Sequence, residues 1–397
     1  MIPLALPEAD ADALAHSRAL REAIAAEIRG SGGCIPFSRY MELALYAPGL
    51  GYYSAGATKL GAAGDFVTAP ELGPLFARSV ANAFAHTLSA LAGDADIIEL
   101  GGGTGAFALD ALLALQRLHA LPARYRILEP SADLRQRQHQ RLSAQLPAEI
   151  FARVEWLDGL PEHSWRGVLF ANEVLDALPT TRFVIGEEEL QEEHVGLDAC
   201  GALVRIDRPA DALLLRAVNH IERALGRRLP VGYRSEVLLQ LPWWLQAVSG
   251  GMEQGLLLFL DYGYPRSEFY LPDRVDGSLI CHYRHRAHAE PLWLPGLSDI
   301  TAFVDFSAVA EAGAAAGFEL AGFAPQAGFL LGCGLLDQLS VAQAEAADDA
   351  TAAAHANEQA RRLLLPGEMG ERFKAIGLQR GVDVSALFAE ADRSGRL

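Results

Sequence analysis

Residues 96–105 read DIIELGGGTG. Ile97, Ile98 and Leu100 form an apolar run that does not alternate with polar residues, as in a strand buried on both faces. The next segment, FALDALLALQRL, repeats Leu and Ala at helical spacing, so the glycines lie in a turn from a strand into a helix. Glycines let such a turn approach a ligand closely, and the helix N-terminus attracts negative charge. The stretch therefore predicts a nucleotide-like ligand.

Strand-like and helix-like segments alternate after this turn, which predicts a parallel, doubly wound sheet. The strand patterns are RYRILEP (124–130), VEWLD (154–158), GVLFANEVLDALP (167–179) and, later, GLLLFLDYG (255–263). Ligands of such sheets bind beyond the carboxyl ends of the strands. Polar side chains occur at these positions: Glu99, Glu129, Asp158, Asn172 and Glu173. Helix capping explains each acid alone, but acids at successive strand ends favour a binding site.

Two classes of ligand fit the glycine turn. Gly101, Gly103 and Ala106 have the G-x-G-x-x-A spacing of dinucleotide-binding turns, so a dehydrogenase with a nicotinamide cofactor stays open. Glu99 precedes the first glycine within the strand, where a carboxylate suits a positively charged ligand such as a sulfonium amino acid. Glu129 suits a ribose diol in either class.

The later strand ends favour the second class. Asp158 suits an adenine edge, and Asn172 with Glu173 suits an amino-acid moiety or an acceptor. Together these positions resemble a class I S-adenosylmethionine-dependent methyltransferase. We therefore expect S-adenosyl-L-methionine as the cofactor. The residues expected to bind it are Glu99, Gly101, Gly103, Gly105, Glu129, Asp158 and Asn172.

A series of longer motifs makes the resemblance specific. In chain order they are IPFSRYMELALYAPGLGYYS, GAAGDFVTAPELGPLFA, IIELGGGTGAFALD, NEVLDALPTTRF, GYRSEV, LLLFLDYGYP, GSLICHYRHR and DITAFVDF. From about Ile35 to Gly334 the chain resembles the MidA (mitochondrial dysfunction protein A) family of S-adenosylmethionine-dependent methyltransferases. It departs from the usual family pattern at Gly102, where Pro or Ala is frequent, and at Phe303, where His is more usual.

The resemblance implies an activity and a partner. The eukaryotic family member is a mitochondrial protein-arginine methyltransferase that modifies a core subunit of respiratory complex I and supports its assembly. We therefore expect protein-arginine methylation, with a complex I subunit or a similar protein as substrate. Because no transit-peptide composition is visible, we expect a bacterial, cytoplasmic setting.

We predict an α/β fold: a Rossmann-like class I methyltransferase with a seven-stranded, mostly parallel sheet, an N-terminal helical and loop cap, and an inserted α+β subdomain. The predicted segments are a cap (1–90), the first part of the cofactor-binding core (91–179), an insertion on the substrate side (180–254) and the rest of the core (255–397). A late strand at 373–381 is expected to pair antiparallel with one at 318–323.

Composition excludes several classes. A net charge of −17 argues against a protein that binds nucleic acid through its phosphates. The four cysteines form no C-x-x-C pair, and His282, His285 and His288 lack the partners of a zinc site, so we expect no metal. No apolar run is long enough to span a membrane. The acid-rich run from Glu187 to Glu193 is interpreted as a solvated face.

Carboxylates are the candidate catalytic groups for an arginine acceptor, because the guanidinium stays protonated and is held by bidentate acceptors. Glu173 and Asp176, just after the fourth strand, are the first candidates. Asp65 and Glu71, in the GDF and PE motifs, are the second, as lid or acceptor groups. Tyr52, Tyr53 and Phe66 are expected to wall the pocket.

Three alternatives stay open. The chain could be a methyltransferase for small molecules, or an assembly factor that binds the cofactor without turnover. A nicotinamide-dependent dehydrogenase is a weaker alternative, because it leaves the later strand-end residues unexplained. The sequence also leaves open whether the protein forms a homodimer.

Overall fold

A computed structural model describes residues 6–54, 68–347 and 349–397. The helices are α1 (Ala11–Gly30), α2 (Phe37–Tyr46), α3 (Leu75–Ala90), α4 (Ala106–Arg117), α5 (Ala132–Gln145), α6 (Ala148–Phe151), α7 (Ala212–Leu225), α8 (Leu241–Ser249), α9 (Arg266–Phe269), α10 (Phe306–Ala315), α11 (Gln326–Gly332), α12 (Leu335–Ala346) and α13 (Ala350–Leu364). Short 3-10 helices cover Ala69–Leu72, Ser385–Leu387 and Ser394–Arg396.

The strands are β1 (Cys34–Pro36), β2 (Asp96–Leu100), β3 (Tyr125–Leu128), β4 (Val154–Leu157), β5 (Trp165–Asn172), β6 (Thr181–Ile185), β7 (Leu190–Leu197), β8 (Leu203–Pro209), β9 (Arg234–Val237), β10 (Met252–Tyr264), β11 (Ile280–Tyr283), β12 (Arg286–His288), β13 (Asp299–Thr301), β14 (Val304–Asp305), β15 (Glu319–Pro325) and β16 (Phe373–Arg380). By packing, the chain divides into unit 1 (1–66, 176–240 and 266–304) and unit 2 (67–175, 241–265 and 305–397).

Unit 2 contains the predicted sheet, in which seven strands follow the order β15-β16-β10-β5-β2-β3-β4. The neighbours from β10 to β4 are parallel, and β16 runs antiparallel to both β10 and β15. The predicted Rossmann-like, mostly parallel sheet is therefore confirmed. The predicted antiparallel pairing of the late strand with the strand near residue 320 is confirmed as well.

The core of unit 2 explains why β2 reads as a continuous apolar run. Ile97 and Ile98 are fully buried, because helices cover both faces of a parallel sheet. Phe107 of α4 stacks on Phe170 of β5, with ring centroids 4.3 Å apart, and Phe84 of α3 meets Phe170 edge-on. This packing holds the carboxyl ends of β2 and β5 in register beside the glycine turn.

Unit 1 joins parts of the chain that lie far apart in sequence. Its five-stranded sheet, among the described residues, has the order β1-β7-β6-β9, with β8 paired to β7. Strand β1 from the N-terminal region pairs antiparallel with β7 of the predicted insertion. Strands β12, β11 and β13 form a second antiparallel sheet. The sequence-based division into four functional segments stays a prediction, because packing defines the two units without assigning them roles.

One acid of the predicted solvated face is buried. Glu193 lies on β7 with no exposed surface, and its carboxylate pairs with Arg182 at 3.1 Å and with Arg234. Arg182 is itself 1% exposed and also pairs with Glu236 at 3.3 Å. The interpretation of the whole run as a solvated face was wrong for Glu193. Strand alternation turns this side chain toward arginines contributed by β6 and β9.

In the parts of the chain that the structure covers, no helix combines the length and the apolar character needed to cross a bilayer.

Candidate functional site

The glycine turn after β2 has the backbone conformation that its sequence predicts. Gly101, Gly103 and Gly105 have φ of 66°, 53° and 80°, a region that side chains with a Cβ disfavour. A Cβ on Gly102 would lie 2.9 Å from Ile127 Cγ2, so this position is tightly packed although its φ is not positive. Helix α4 begins directly after Gly105, so its free N–H groups face the turn.

Glu99 is 3% exposed near the end of β2. Its Oε2 accepts a hydrogen bond of 2.9 Å from the Tyr125 hydroxyl on the neighbouring β3. Burial raises the pKa of Glu99 to about 8, and the Tyr125 hydrogen bond opposes that rise. A buried carboxylate with a raised pKa is a group that a cationic ligand would stabilise in its charged form.

Glu129 follows β3 and is 5% exposed. Its Oε1 accepts the Ser131 N–H at 3.0 Å, and its Oε2 accepts the Gln138 side-chain amide at 3.3 Å. Burial raises the pKa of Glu129 to about 7, against these hydrogen bonds. A backbone hydrogen bond from Gly103 also lowers the pKa of Glu129. The two carboxylate oxygens offer about four acceptor sites, so the group keeps capacity for a further donor such as one hydroxyl of a diol.

Asn172 and Glu173 end β5 in an unusual conformation. Glu173 has φ of 53°, a region that is costly for a residue with a Cβ. Its N–H donates to Leu260 O of β10 at 2.9 Å, and its Oε1 accepts from Asn172 Nδ2 at 3.0 Å. Among the described residues, none donates a hydrogen bond to the buried Asn172 Oδ1. The end of β5 therefore carries a strained acid beside an acceptor that can receive a donor from a ligand.

Asp261 lies in β10 directly after Leu260, the last residue that this strand pairs with β5, and it holds the chain that leaves β5. Its Oδ2 accepts the Leu175 N–H at 3.0 Å and its Oδ1 accepts the Tyr262 N–H at 2.9 Å. The pattern GLLLFLDYG (255–263) predicts a strand that ends at this acid, but the strand continues to Tyr264. The position of Asp261 next to β5, which only the parallel pairing of β5 with β10 reveals, makes it a support for the Glu173 turn.

Asp158 is not buried with the other strand-end acids. It follows β4 at the edge of the sheet, its side chain is 92% exposed, and it pairs with Arg135 of α5 at 2.6 Å. Its predicted contact with adenine stays a prediction. The sequence indicates that a strand ends here, but the strand order puts β4 outermost, where solvent competes for the carboxylate.

Glu71, of the Ala69–Leu72 3-10 helix, contacts the glycine turn itself. The Thr104 hydroxyl donates to Glu71 Oε1, and Arg141 of α5 donates to the Thr104 oxygen at 2.5 Å. The Arg141 guanidinium also lies 3.9 Å from Glu71. Asp65 and Phe66, the other predicted residues of this region, lie outside the described residues.

Asp176 belongs to unit 1, where it is 4% exposed. Ala302 N–H donates to Asp176 O at 3.0 Å, and the Tyr46 hydroxyl donates to the next carbonyl, that of Ala177, at 2.9 Å. Tyr46 stacks on Tyr53 with ring centroids 5.6 Å apart. Burial and nearby negative charges, Asp176 among them, raise the pKa of Tyr53. The backbone at Asp176 is thus held within unit 1 on two sides.

Tyr53 completes this arrangement by donating a hydrogen bond of 2.9 Å to Asp299 Oδ1 of β13. Asp299 is 3% exposed, so unit 1 buries two acids, Asp176 and Asp299, close to one phenol. Tyr52 is fully buried and packs edge-on against Tyr53 at 5.1 Å. Tyr53 therefore lies beside carboxylates, and the expectation that Tyr52 and Tyr53 wall the pocket stays a prediction.

These features agree with the comparisons with known proteins. A family model described as "Putative S-adenosyl-L-methionine-dependent methyltransferase" matches residues 79–324. The chain belongs to this family. It is a methyltransferase that uses S-adenosyl-L-methionine. This excludes the alternative of a nicotinamide-dependent dehydrogenase.

Solved structures and curated relatives support this assignment. The crystal structure of a Burkholderia thailandensis protein bound to S-adenosyl-homocysteine is 43% identical and has a TM-score of 0.92, covering 99% of this chain and all of that one. A native structure from the same organism is also 43% identical, with a TM-score of 0.89 and the same coverage. The methyltransferase's curated relatives include "Protein arginine methyltransferase NDUFAF7 homolog, mitochondrial" from Caenorhabditis elegans, 27% identical over 72% of this chain and 70% of the relative. The Drosophila melanogaster protein of the same name is 26% identical over 96% and 89%.

The relatives correct the expected localisation. Their names describe mitochondrial proteins, which contradicts the cytoplasmic setting expected from the sequence. That expectation rested on the absence of a targeting pattern, and such an absence carries no information about the compartment.

The residues of unit 2 fit the cofactor of this methyltransferase family. Gly101, Gly103 and Gly105 carry no side chain that would keep a ligand away from the backbone of the turn. Glu129 keeps acceptor capacity for a diol. Asn172 Oδ1 is a buried acceptor that can receive a hydrogen bond from a ligand. Glu99 supplies a carboxylate that favours a cation. Candidate residues to which the sequence pattern gave no role are Tyr125, Gln138 and Asp261. Gln138 has no sequence signal, because it is one glutamine among several on a polar helix.

Proposed function

We propose that this methyltransferase modifies arginine side chains of a protein, and that the acceptor is a subunit of respiratory complex I. Curated relatives named as protein arginine methyltransferases support the first part. The resemblance of the motifs between about Ile35 and Gly334 to the MidA family supports the second. The homodimer stays an open alternative, and the four-segment division of the chain stays a prediction.

The observation that carries the arginine proposal is the strained acid at the end of β5. Glu173 is held at φ of 53° between Asn172 and the Leu260 carbonyl. Such a backbone conformation costs free energy, and it is found mainly at functional sites, where the strain holds a side chain in a direction that an ordinary strand end does not allow. A guanidinium is a cation with a planar fork of donors, which one or two carboxylates hold in a fixed orientation.

Glu173 and Asp176 are the proposed acceptor-binding carboxylates. A carboxylate in this role holds the guanidinium, aims one of its nitrogens and favours loss of the proton as the methyl group is transferred. When bound, S-adenosyl-L-methionine supplies the methyl group on a sulfonium. Asp65 and Glu71 are the second proposed pair, and the contact of Glu71 with Thr104 favours a role in shaping the turn.

The cofactor is proposed to lie along the carboxyl ends of the unit 2 strands. Glu99 faces its positive charge, Glu129 its ribose diol, and Asn172 its amino-acid end. The backbone of Gly101, Gly103 and Gly105 makes the close approach. Asp158 is proposed to contact the adenine edge, although its side chain is 92% exposed.

The test is transfer of a tritiated methyl group from S-adenosyl-L-methionine to purified complex I subunits. We expect incorporation into one subunit, removed when its target arginine is replaced by lysine. Glu173→Ala and Asp176→Ala should each lower the rate about 100-fold, the size of effect seen when a group that stabilises transition-state charge is removed. Binding of S-adenosyl-homocysteine, measured by calorimetry, should persist in both variants.

The control is Glu189→Ala, which removes an exposed acid of unit 1. It should transfer at the wild-type rate. Undiminished transfer by Glu173→Ala and Asp176→Ala would remove their proposed role. Cofactor binding without incorporation into any subunit would favour the assembly-factor alternative. Methylation of small molecules alone would favour a small-molecule methyltransferase.

A further inference from the structure

A fully buried glutamine on α5 links three parts of the cofactor side of unit 2. Gln138 has no exposed surface. Its Nε2 donates to Gly103 O of the glycine turn at 2.9 Å and to Glu129 Oε2 at 3.3 Å. Its Oε1 accepts a hydrogen bond of 2.9 Å from Trp156 Nε1 of β4. One side chain therefore touches the turn after β2, the end of β3 and the outermost strand.

The chemistry of these partners fixes the orientation of the amide. The indole N–H can only donate, whereas the carbonyl and the carboxylate can only accept. Both amide hydrogens and one lone pair of the oxygen are thus used, and rotating the amide by 180° would leave all three bonds unmade. A methyl group or a carboxylate in its place would not satisfy the same set.

The glycines of the turn are packed against this residue. A Cβ on Gly102 would lie 3.1 Å from Gln138 Nε2, and a Cβ on Gly105 would lie 3.3 Å from Gln138 Cα. The absence of side chains in the turn therefore serves two purposes. It opens one side to the ligand and lets α5 approach closely enough for the Gln138 amide to reach Gly103 O.

We propose that Gln138 is a positioning residue for S-adenosyl-L-methionine, which fixes the Glu129 carboxylate relative to the glycine turn and to Trp156. The proposal rests on the proposed contact of Glu129 with the ribose. By occupying one acceptor site of Glu129 Oε2, Gln138 sets the plane of the carboxylate and the direction in which its remaining acceptor sites point. It touches no ligand atom itself.

The groups around Glu129 set its pKa, so the proposal also predicts a change in the pH dependence of binding. Burial raises the pKa of Glu129. The hydrogen bonds from the Ser131 backbone, the Gln138 amide and the Gly103 backbone lower it, as does the charge of Arg135 on α5. Glu99 of β2 is the nearby acid, and Asp158 of β4 pairs with Arg135. Removing the Gln138 amide should therefore raise the pKa of Glu129 above its value of about 7.

The experiment is calorimetric titration of the full chain with S-adenosyl-homocysteine between about pH 6 and pH 9, a range that brackets the Glu129 pKa. The test variant is Gln138→Met, and its matched control is Gln145→Met, the same change at an exposed position of the same helix. We expect Gln138→Met to weaken binding about tenfold, the cost of one charge-assisted hydrogen bond. The pH midpoint for binding should move upward. Glu99 titrates in the same range, so the difference between variants isolates Glu129.

For a second variant, we expect the pH dependence of cofactor binding to reverse. Gln138→Glu keeps the shape of the side chain but places a second carboxyl against Glu129. The pair can share one proton, which preserves a donor toward Glu129, but at high pH both ionise and repel. Binding by Gln138→Glu should therefore fall with rising pH, whereas binding by the wild type rises.

Each outcome decides between a positioning and a packing role. Gln138→Met binding as tightly as Gln145→Met, or weakened equally at every pH, would overturn the proposal. If Gln138→Met does not fold, as judged by its thermal unfolding, Gln138→Glu decides through the direction of its pH dependence. Glu129→Gln tests separately the assumption that Glu129 contacts the ribose. Unchanged binding in that variant would refute the ribose contact itself, whatever Gln138 does.

Discussion

The hydroxyl of Tyr125 donates a hydrogen bond of 2.9 Å to Glu99 Oε2, joining two neighbouring parallel strands beneath the glycine turn. Both side chains are buried, and the pKa of each group is raised by that burial. The Tyr125 hydroxyl therefore stays protonated and donates whether or not Glu99 is charged. The two groups therefore stay hydrogen-bonded in either charge state of Glu99.

Burial of Glu99 makes unfolding pH-dependent. Its folded pKa is about 8 against an ordinary 4.5, so the folded state holds a proton that the unfolded state releases. The contribution to stability is complete below about pH 4.5 and is lost as the pH rises to about 8. We expect the melting temperature of the cofactor-free protein to fall over this range, and to fall less in Glu99→Gln.

Scanning calorimetry at several pH values checks this expectation. The control is Glu149→Gln, the same change at an exposed position of α6, which should keep the wild-type slope. Equal slopes in wild type and Glu99→Gln would show that Glu99 titrates normally and that its burial does not favour the neutral form.

The left-handed backbone of Glu173 predicts an order of stability between two variants. Glu173→Gly and Glu173→Ala both remove the carboxylate, but only alanine keeps a Cβ at φ of 53°. The glycine variant should be more stable by about 1 kcal/mol, the cost of the left-handed region for a residue with a side chain. Both should lose methyl transfer.

Chemical denaturation measures the difference. At Glu149, which lies in a helix, the order should reverse, because glycine destabilises a helix relative to alanine. An alanine variant at position 173 as stable as the glycine variant would mean that the backbone relaxes and stores no strain.

The buried ion pairs of unit 1 predict a large effect from a small change. Glu193→Gln keeps the shape of the side chain but removes the charge that Arg182 and Arg234 face. We expect the free energy of unfolding to fall by about 2 kcal/mol, because Arg182 and Arg234 each lose a buried charged partner, although Arg182 keeps Glu236 and Arg234 keeps Asp207. Urea denaturation measures it. Glu189→Gln, in the exposed part of the same acid run, should change stability by less than about 0.5 kcal/mol.

Exposure separates the two strand-end acids proposed to bind the cofactor. Glu129→Ala removes a buried carboxylate, whereas Asp158→Ala removes one that is 92% exposed and paired with Arg135. We expect the first to weaken binding of S-adenosyl-homocysteine at least about tenfold and the second less than about threefold, since solvent screens exposed charges. Calorimetry compares them. An equal loss in Asp158→Ala would instead support its adenine contact.

Much of the cofactor side of the molecule could be read from local patterns. The run from Ile97 to Leu100, the glycines and the helix after them identify a strand, a turn and a helix without tertiary information, because periodicity and backbone freedom are local properties. The acids at successive strand ends follow from the same reading, since parallel strands end at one edge. The central sheet of unit 2 confirms these predictions.

The sequence did not show how those acids differ. Glu99, Glu129 and Asp158 look alike as residues that end or precede the end of a strand, but β2 and β3 lie inside the sheet whereas β4 lies at its edge. Burial therefore raises the pKa of Glu99 and Glu129, while Asp158 faces solvent. Strand order, a property of long-range pairing, made this distinction.

The sequence by itself determined the fold class, the cofactor and the strand ends that carry polar groups. The tertiary structure decided which distant residues support them. Tyr125 reaches Glu99, Gln138 reaches Glu129, and Asp261 reaches the turn after Glu173, each across elements that are separate in the chain. Hydrogen bonds of this kind depend on distances of a few tenths of an ångström between packed elements, and no local pattern of residues encodes them.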